Sequence, residues 1–418
     1  MHQRAGAAGT EETDRLFRIR HALHARESAG SADGLFRRRL RRLLQLSASL
    51  GIALSMEDQA NSLAQLVCPA PHPAKDTILL GHGSGGRLSA ELMRSVFLPA
   101  FHNPVLARLD DQAIVYVNGV RLAITTDSFV VKPLFFPGGD IGSLAVHGTV
   151  NDLAMGGAKP LFLSVAFIIE EGLSMVVLRR VVESLRAAAE KAGVEIVTGD
   201  TKVVEKGSGD ELFINTTGIG LVPADLELSA NRARPGDKVL LSGSIAEHGI
   251  AILAQREGLE FECPVASDSA ALYSLVAKML DASALQPGDA QTSSAIRCLR
   301  DPTRGGVSST LNEIAEQSRV GIQLEESAIP IREEVRGACE MLGLDPLYVA
   351  NEGKLIAIVA PEAAEAVLRA MRADALGQNA QIIGTVVESA SPIVTIRTAL
   401  GTSRCVDMLA GDQLPRIC

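Results

Sequence analysis

The sequence predicts a mixed α/β (α+β) protein of two domains. Three observations carry that expectation. Short apolar, β-branched runs alternate with segments of helical period from Thr77 to Arg397. A break at Ala233-Arg234-Pro235-Gly236-Asp237 divides this region into two stretches of similar size and pattern. Of the 418 residues 47% are apolar and 21% charged, enough to fill a core in each half and too apolar for overall disorder.

Before the first domain, residues 1–75 carry 11 Lys/Arg against 7 Asp/Glu, whereas the remainder carries 29 against 42. The basic run Phe36-Arg37-Arg38-Arg39-Leu40-Arg41-Arg42-Leu43-Leu44 lacks the apolar stretch of a secretory signal and lies well inside the chain. It reads as a poorly ordered extension with one short amphipathic helix over 35–50, and Met56 stands as an alternative translation start. Pro69, Pro71 and Pro73 mark a linker.

The first domain, 76–225, opens with strand Thr77–Leu80, a glycine loop Gly81–Gly86 and helix Leu88–Leu98. Ala113–Val117 and Arg121–Thr126 form a hairpin turning at Asn118-Gly119. A buried helix over Ile141–Met155 and a strand Leu161–Ile169 follow. Ser174 and Gly193 cap a helix between them, and strands Val194–Thr198 and Leu212–Gly220 complete the half. The second domain, 226–405, begins with strand Lys238–Leu241, helices at 246–256 and 267–281, and a helix after Gly305-Gly306. Strand Val320–Leu324, a helix at 331–342, strand Leu355–Val359, helix Glu362–Arg372 and strands near 381–387 and 393–397 close it. Residues 406–418 read as a mobile tail.

Several function classes drop out. No run approaches ~18 apolar residues, so no membrane-spanning helix is expected. The absence of Trp, three Tyr and a net charge of −9 argue against a nucleic-acid partner. Six cysteines without a CxxC pair give neither a disulfide framework nor a zinc knuckle, which points to the cytoplasm. No GxGxxG follows a first strand, so a nicotinamide-binding half is not supported.

Five features carry chemistry. Gly83-Ser84-Gly85-Gly86 reads either as a phosphate-cradling loop or as a simple turn, and no Lys-Ser/Thr follows to make it a Walker A motif. Asp111 precedes a strand, Asp127 and Asp200 stand at strand ends, and Asp152 lies inside an apolar helix. A carboxylate there costs several kcal/mol unless paired or metal-bound, and hard oxygen ligands gathered from strand ends suit Mg²⁺ with a triphosphate. Arg304 beside two glycines reads as a phosphate ligand or a capping ion pair, and Glu352 as a catalytic group or a solvated charge. Last comes Cys418, a thiol ending a Pro- and Gly-containing tail that could reach about 25 Å when extended.

Together these residues carry a resemblance. The sequence resembles the HypE family of hydrogenase maturation proteins, the carbamoyl dehydratases, over about Ile78 to Cys418. That family groups with aminoimidazole ribonucleotide synthetase, selenophosphate synthetase and thiamine-monophosphate kinase. The carriers are His82-Gly83-Ser84-Gly85-Gly86, Thr126-Asp127-Ser128, Pro133-Leu134-Phe135-Phe136-Pro137-Gly138-Gly139 and Gly148-Thr149-Val150-Asn151-Asp152. Val197 through Val204, Asp301 through Val307, Asn351-Glu352-Gly353-Lys354 and the narrow ending Pro415-Arg416-Ile417-Cys418 complete the set.

The resemblance implies a PurM-like architecture of an N-terminal ATP-binding, dimer-forming domain and a C-terminal domain. It implies that Cys418 receives a carbamoyl group from the carbamoyltransferase HypF, and that ATP then drives dehydration of the thiocarbamate to a thiocyanate. The cyano group is destined for the iron of a [NiFe]-hydrogenase through a HypC-HypD assembly complex. It implies ATP and Mg²⁺ at Asp127, Asp152 and Asp200, with Asp111 a further metal ligand and Gly83–Gly86 and Arg304 on phosphates. Lys202 and Glu352 are its candidates for the amide protons, and a homodimer is expected. Two alternatives stand beside this reading. A selenophosphate-synthetase-like enzyme would want a cysteine beside the glycine loop, whereas Cys68 lies in the proline linker. A non-catalytic carbamoyl or cyanide carrier would use Cys418 only as a tether.

Overall fold

Leu212–Leu221 alternates buried and more open residues along its whole length, the mark of a strand with one face on a core. It is the middle strand of the first of two large sheets. The structure, a computed structural model, describes residues 77–259, 264–284, 294–411, 414 and 416–418. The expected helix at 35–50, the linker prolines, Cys68 and Met56 lie outside these residues.

The first sheet comprises β1 (Ala113–Val117), β2 (Val120–Phe129), β5 (Lys159–Glu170), β6 (Glu195–Val204) and β7 (Leu212–Leu221), in the order β1-β2-β7-β5-β6. Only β5 and β6 run parallel. The β1–β2 hairpin turns at Asn118-Gly119 with both residues at positive φ, as expected for that pair. Against one face lies α2 (Ile141–Met155), after a short first helix α1 (Arg87–Leu92) and the small β3 (Phe135–Phe136) and β4 (Gly139–Asp140) pair. Asp140 caps α2 by accepting from the amides of Gly142 and Ser143 at 2.8 and 3.1 Å, and Ser143 returns a bond to the Asp140 amide. The helix is buried nearly all round because small residues admit its neighbours. A Cβ at Gly142 would sit 2.4 Å from the Val181 carbonyl of the outer helix α3 (Met175–Ala192).

The second sheet has seven strands: β8 (Lys238–Leu241), β9 (Ile296–Arg300), β10 (Gly321–Glu325), β11 (Ile356–Val359), β12 (Gln381–Val387), β13 (Ile393–Arg397) and β14 (Ser403–Cys405). Their order is β14-β13-β10-β12-β8-β11-β9, antiparallel except for β10 beside β13. One face packs on α6 (Gly306–Ser318) and the other on α5 (Tyr273–Ala282) and α8 (Pro361–Arg372). The helices α4 (Glu247–Glu257) and α7 (Glu333–Leu342) pack on each other. Both sheets belong to one compact unit, Ile78–Cys418.

The elements expected from sequence appear with several differences. The helix expected from 267 begins at Tyr273, and the strand expected to end at Thr126 runs to Phe129, so Asp127 is strand interior. Leu80–Gly83 is a 3₁₀ turn, and no strand forms at Thr77–Leu80. The first helix continues through a π-helical segment, Met93–Phe97, to Ala100. The strand that was to close at Asp200 runs on to Val204, so Gly199 through Lys202 are strand interior. Strands β3, β4, β9 and β14 were not foreseen: the first two are two residues each, and Ile-Arg-Cys-Leu-Arg and Ser-Arg-Cys are too short and too charged to show a period.

One amide joins the sheets. Asn151, buried in α2, donates to the carbonyls of Ala270 and Glu352 at 3.0 and 3.3 Å and accepts from the Leu272 amide at 2.8 Å. Replacing Asn151 with Ala leaves these backbone groups unsatisfied, and we expect a loss of ~2 kcal/mol or more. It should appear as a lower urea midpoint with an unchanged m-value; an unchanged midpoint refutes this role.

Candidate active site

Two Asn–acid pairs, one on each domain, build the site. On α2, Asn151 staples the helix and the next residue, Asp152, turns into the cleft. Its Oδ2 accepts from the Thr125 hydroxyl on β2 at 2.6 Å. In the second domain Asn351 does the same work. Its Oδ1 accepts from the Ala246 amide at 2.7 Å and its Nδ2 donates to the Pro302 and Val349 carbonyls at 2.9 and 3.1 Å. The following residue, Glu352, is buried with Oε1 lacking any hydrogen-bond partner. Its backbone is fixed by Asp268, whose carboxylate accepts from the amides of Glu352 and Gly353 at 3.2 and 3.3 Å and pairs with Lys354 at 3.1 Å. Glycine is required at 353, because a Cβ there would lie 1.8 Å from the Asp268 carbonyl.

Three more carboxyls complete the cluster. Asp127, on β2, accepts from the Ser128 amide at 2.8 Å. Asp301 follows β9 directly. Asp111 pairs with Arg300 Nε at 2.8 Å and leaves Oδ2 without a partner. Burial pushes Asp111, Asp152 and Glu352 well above the usual carboxylate range, and mutual repulsion adds to it. Asp152 feels Asp301, Asp127 and Asp111, whereas Glu352 feels Asp127, Asp301 and Asp268. Asp127 is raised by burial against the pull of Arg304. Asp301, raised by burial against Arg300, stands at about 6.

The end of the chain enters this cleft. The amides of Val130 and Lys132 donate to the carbonyls of Cys418 and Arg416 at 2.8 and 3.2 Å, so the tail pairs antiparallel with the segment after β2. Cys418 is only 8% exposed. Burial pushes its thiol up to about 12; Arg304 opposes this, whereas Glu352 and Asp127 reinforce it. The root of the tail is held by the glycine loop. Arg87 N–H donates to the Leu409 carbonyl at 2.8 Å and Ser84 Oγ to the Gly411 carbonyl at 3.2 Å. A cavity of about 170 Å³ remains between the Gly83-Ser84 loop, Arg304, Leu409 and Ile417.

Of the residues singled out from sequence, Asp111, Asp127, Asp152, Arg304, Glu352 and Cys418 converge. Gly83, Ser84, Gly85 and Gly86 lie at the rim beside Arg304, whose guanidinium donates to the Gly83 carbonyl at 3.1 Å. Two of these glycines answer to packing: a Cβ at Gly85 would meet the Arg304 carbonyl at 2.4 Å, and one at Gly86 the Leu409 carbonyl at 2.2 Å, whereas Gly83 faces open space. Asp200 and Lys202 are not brought in. They face outward on β6, 62% and 70% exposed at their side chains, and pair with each other at 2.8 Å. Sequence reading missed Asp301, Asp268 and Arg300 as site members. Asp301 alone carried a signal, as the first residue of the stretch Asp301 through Val307.

The acid set fits a hard cation, given the unpartnered oxygens on Asp111 and Glu352. Among the described residues no three His, Cys, Asp or Glu side chains could hold a metal ion by themselves. A cation carried in on phosphate oxygens, with one or two carboxylates added, meets both facts.

Residues 109–222 match the N-terminal domain, and 234–397 the C-terminal domain, of AIR synthase related proteins. The chain is 58% identical over 337 residues to the carbamoyl dehydratase HypE of Azotobacter vinelandii, covering 81% of this chain and 96% of that protein. A crystal structure of a HypE-HypF complex superimposes with a TM-score of 0.71 at 49% identity, over 76% of this chain and 99% of that one. A second, of HypE in complex with ATP, gives 0.67 at 52% identity, over 82% and 100%. Fold and cleft thus define an AIR synthase related protein of two PurM-like domains. Within that class the chain belongs to the HypE carbamoyl dehydratase family.

A raised carboxyl makes stability depend on pH with a definite sign. Asp301 holds its proton in the folded state up to about pH 6, whereas its ordinary value is 3.8. The folded state therefore binds more protons between these values, and stability falls as pH rises through that window. Asp301→Asn removes the penalty. With chelator present and no nucleotide, we expect a higher melting temperature than wild type above pH 6 and little difference below pH 4. Parallel melting curves for the two proteins across the range refute the assignment.

Proposed function

We propose that this chain carries a carbamoyl group on Cys418 and dehydrates it to a thiocyanate with ATP, supplying cyanide for the iron of a [NiFe]-hydrogenase. The observation that carries the reading is the seat of Cys418, beside Arg304, Glu352 and Asp127 in a cleft of buried and half-buried carboxyls. A carrier that served only as a tether has no use for such a seat.

The chemistry divides between two positions of the tail. Seated, the thiol is neutral and shielded, so it is a poor nucleophile; loading by the carbamoyltransferase HypF takes place with the tail withdrawn. Returned to the cleft, the carbamoyl carbon on Sγ lies next to Arg304 and Glu352. Bound Mg-ATP would supply the phosphoryl group that lets the carbamoyl oxygen leave as phosphate. Arg304 offsets negative charge as that oxygen is activated. The nitrogen must shed two protons for the nitrile to form. In its ionised form Glu352, raised by burial, is a stronger base than an ordinary carboxylate and accepts one of the two protons; Lys202 is the candidate for the other. Asp111, Asp127 and Asp152 are the carboxyls from which one or two would join phosphate oxygens around a cation.

Lys202 and Asp200 enter this reading through a homodimer. Nine of the ten residues of β6 are exposed, among them Ile196, Val197 and Val203, an edge that asks for cover. We place the partner copy there, with Lys202 handling amide protons and Asp200 assisting cation or nucleotide at that interface. The cyano group passes on to a HypC-HypD complex. No helix among the described residues is long and apolar enough to cross a membrane, and we assign the protein to the cytoplasm.

Mass spectrometry of the C-terminal peptide tests the reaction. After incubation with the carbamoyltransferase, carbamoyl phosphate and ATP, Cys418 should gain a carbamoyl group that then loses water. Glu352→Gln should load normally yet lose water at least ~100-fold more slowly. A loaded wild-type protein that never loses water in the presence of ATP sinks the proposal. For the dimer, Val203→Asp should sediment as a monomer where wild type sediments as a dimer; unchanged sedimentation moves the interface elsewhere.

A further inference from the structure

The seated tail is held residue by residue. Along an extended chain successive carbonyls point to opposite sides. Those of Arg416 and Cys418 face the segment after β2 and accept from Lys132 and Val130. The carbonyl of Ile417 points the other way, toward α4. There it meets His248 Nε2 at 2.6 Å.

His248 is fully buried in α4, edge-on to the Phe136 ring at 5.6 Å, and its Nδ1 lies 2.8 Å from Ser267 Oγ. A carbonyl can only accept, so the proton sits on Nε2, and the Ser267 hydroxyl donates to Nδ1. Burial lowers the basicity of the ring, in keeping with this neutral form. Arg256, on the last turn of the same helix, bridges the two paired segments. Its Nε donates to the Lys132 carbonyl at 2.9 Å and a terminal nitrogen to the Arg416 carbonyl at 2.6 Å. The Arg416 side chain in turn pairs with Asp210, which also holds Lys132 at 2.5 Å.

We propose that α4 is the second wall of a docking groove for the chain's own C-terminus, with His248 and Arg256 as positioning residues that set the register of Cys418. His248 supplies the hydrogen bond that a neighbouring strand would otherwise supply. Slippage by one residue would turn the thiol away from Arg304 and Glu352, because side chains alternate faces. Neither residue touches the reacting atoms.

This inference rests on the function proposed above only for its catalytic consequence, and the docking itself can be read without chemistry. The rate of iodoacetamide labelling at buried Cys418, followed on the C-terminal peptide because Cys405 is exposed, reports how often the tail leaves. We expect His248→Ala to speed labelling at least 10-fold and His248→Gln, which keeps a donor, to restore most of the protection. Carbamoyl loading should be no slower in His248→Ala, whereas loss of water should fall at least 10-fold. A folded His248→Ala that labels at the wild-type rate overturns the proposal. Should that variant fail to fold, Arg256→Ala carries the same test: faster labelling supports the groove, an unchanged rate refutes it. Faster labelling with undiminished dehydration would leave the groove standing and instead refute the seated tail as the reacting state.

Discussion

Gathering carboxyls in a partly dry cleft is unfavourable, and most of the architecture answers that cost. Asp111, Asp127, Asp152, Asp301 and Glu352 repel one another and lose water, with Arg300 and Arg304 as the cations set against them. Left alone they hold their protons to higher pH than ordinary carboxyls do. The cleft is thus prepared for a cation and for proton transfer at once. A cation entering with phosphates gains from every carboxyl that ionises, and a carboxyl of raised pKa is a competent base.

Such a cluster survives only if its backbone cannot relax away. Asn151 and Asn351 do that work. Each is a buried amide with all of its bonds to main-chain groups, placed one residue before an acid it therefore aims. Asp268 and Lys354 brace Glu352 from behind, and Arg300 braces Asp111 with Glu313 on its far side. The glycines at 85, 86 and 353 follow from the same crowding, since backbone from distant segments passes where a Cβ would lie.

The tail uses main-chain bonds for affinity and leaves its thiol free of them. That division suits a segment that must leave and return, because a β-like pairing of a few residues is worth little by itself. His248 and Arg256 fix where it stops without adding to what it does there.

Much of this protein was legible in its residues. The helix at Ile141–Met155, the hairpin at Asn118-Gly119 and the capped helix after Ser174 came from local rules that tertiary contacts reinforced. Asp152 stood out because a carboxylate inside an apolar helix has no local explanation, and the ending at Cys418 stood out by type and place. What sequence could not rank was which acids meet. Asp200, in a motif as suggestive as any, lies on an exposed strand, whereas Asp301, after a strand too short to foresee, lies in the cluster. Nor could it place His248, whose partner is a carbonyl 169 residues away. Local sequence determines period, caps and turns, because these depend on neighbours in the chain. Convergence of side chains depends on how sheets cross and loops pack, and only the folded chain decides it.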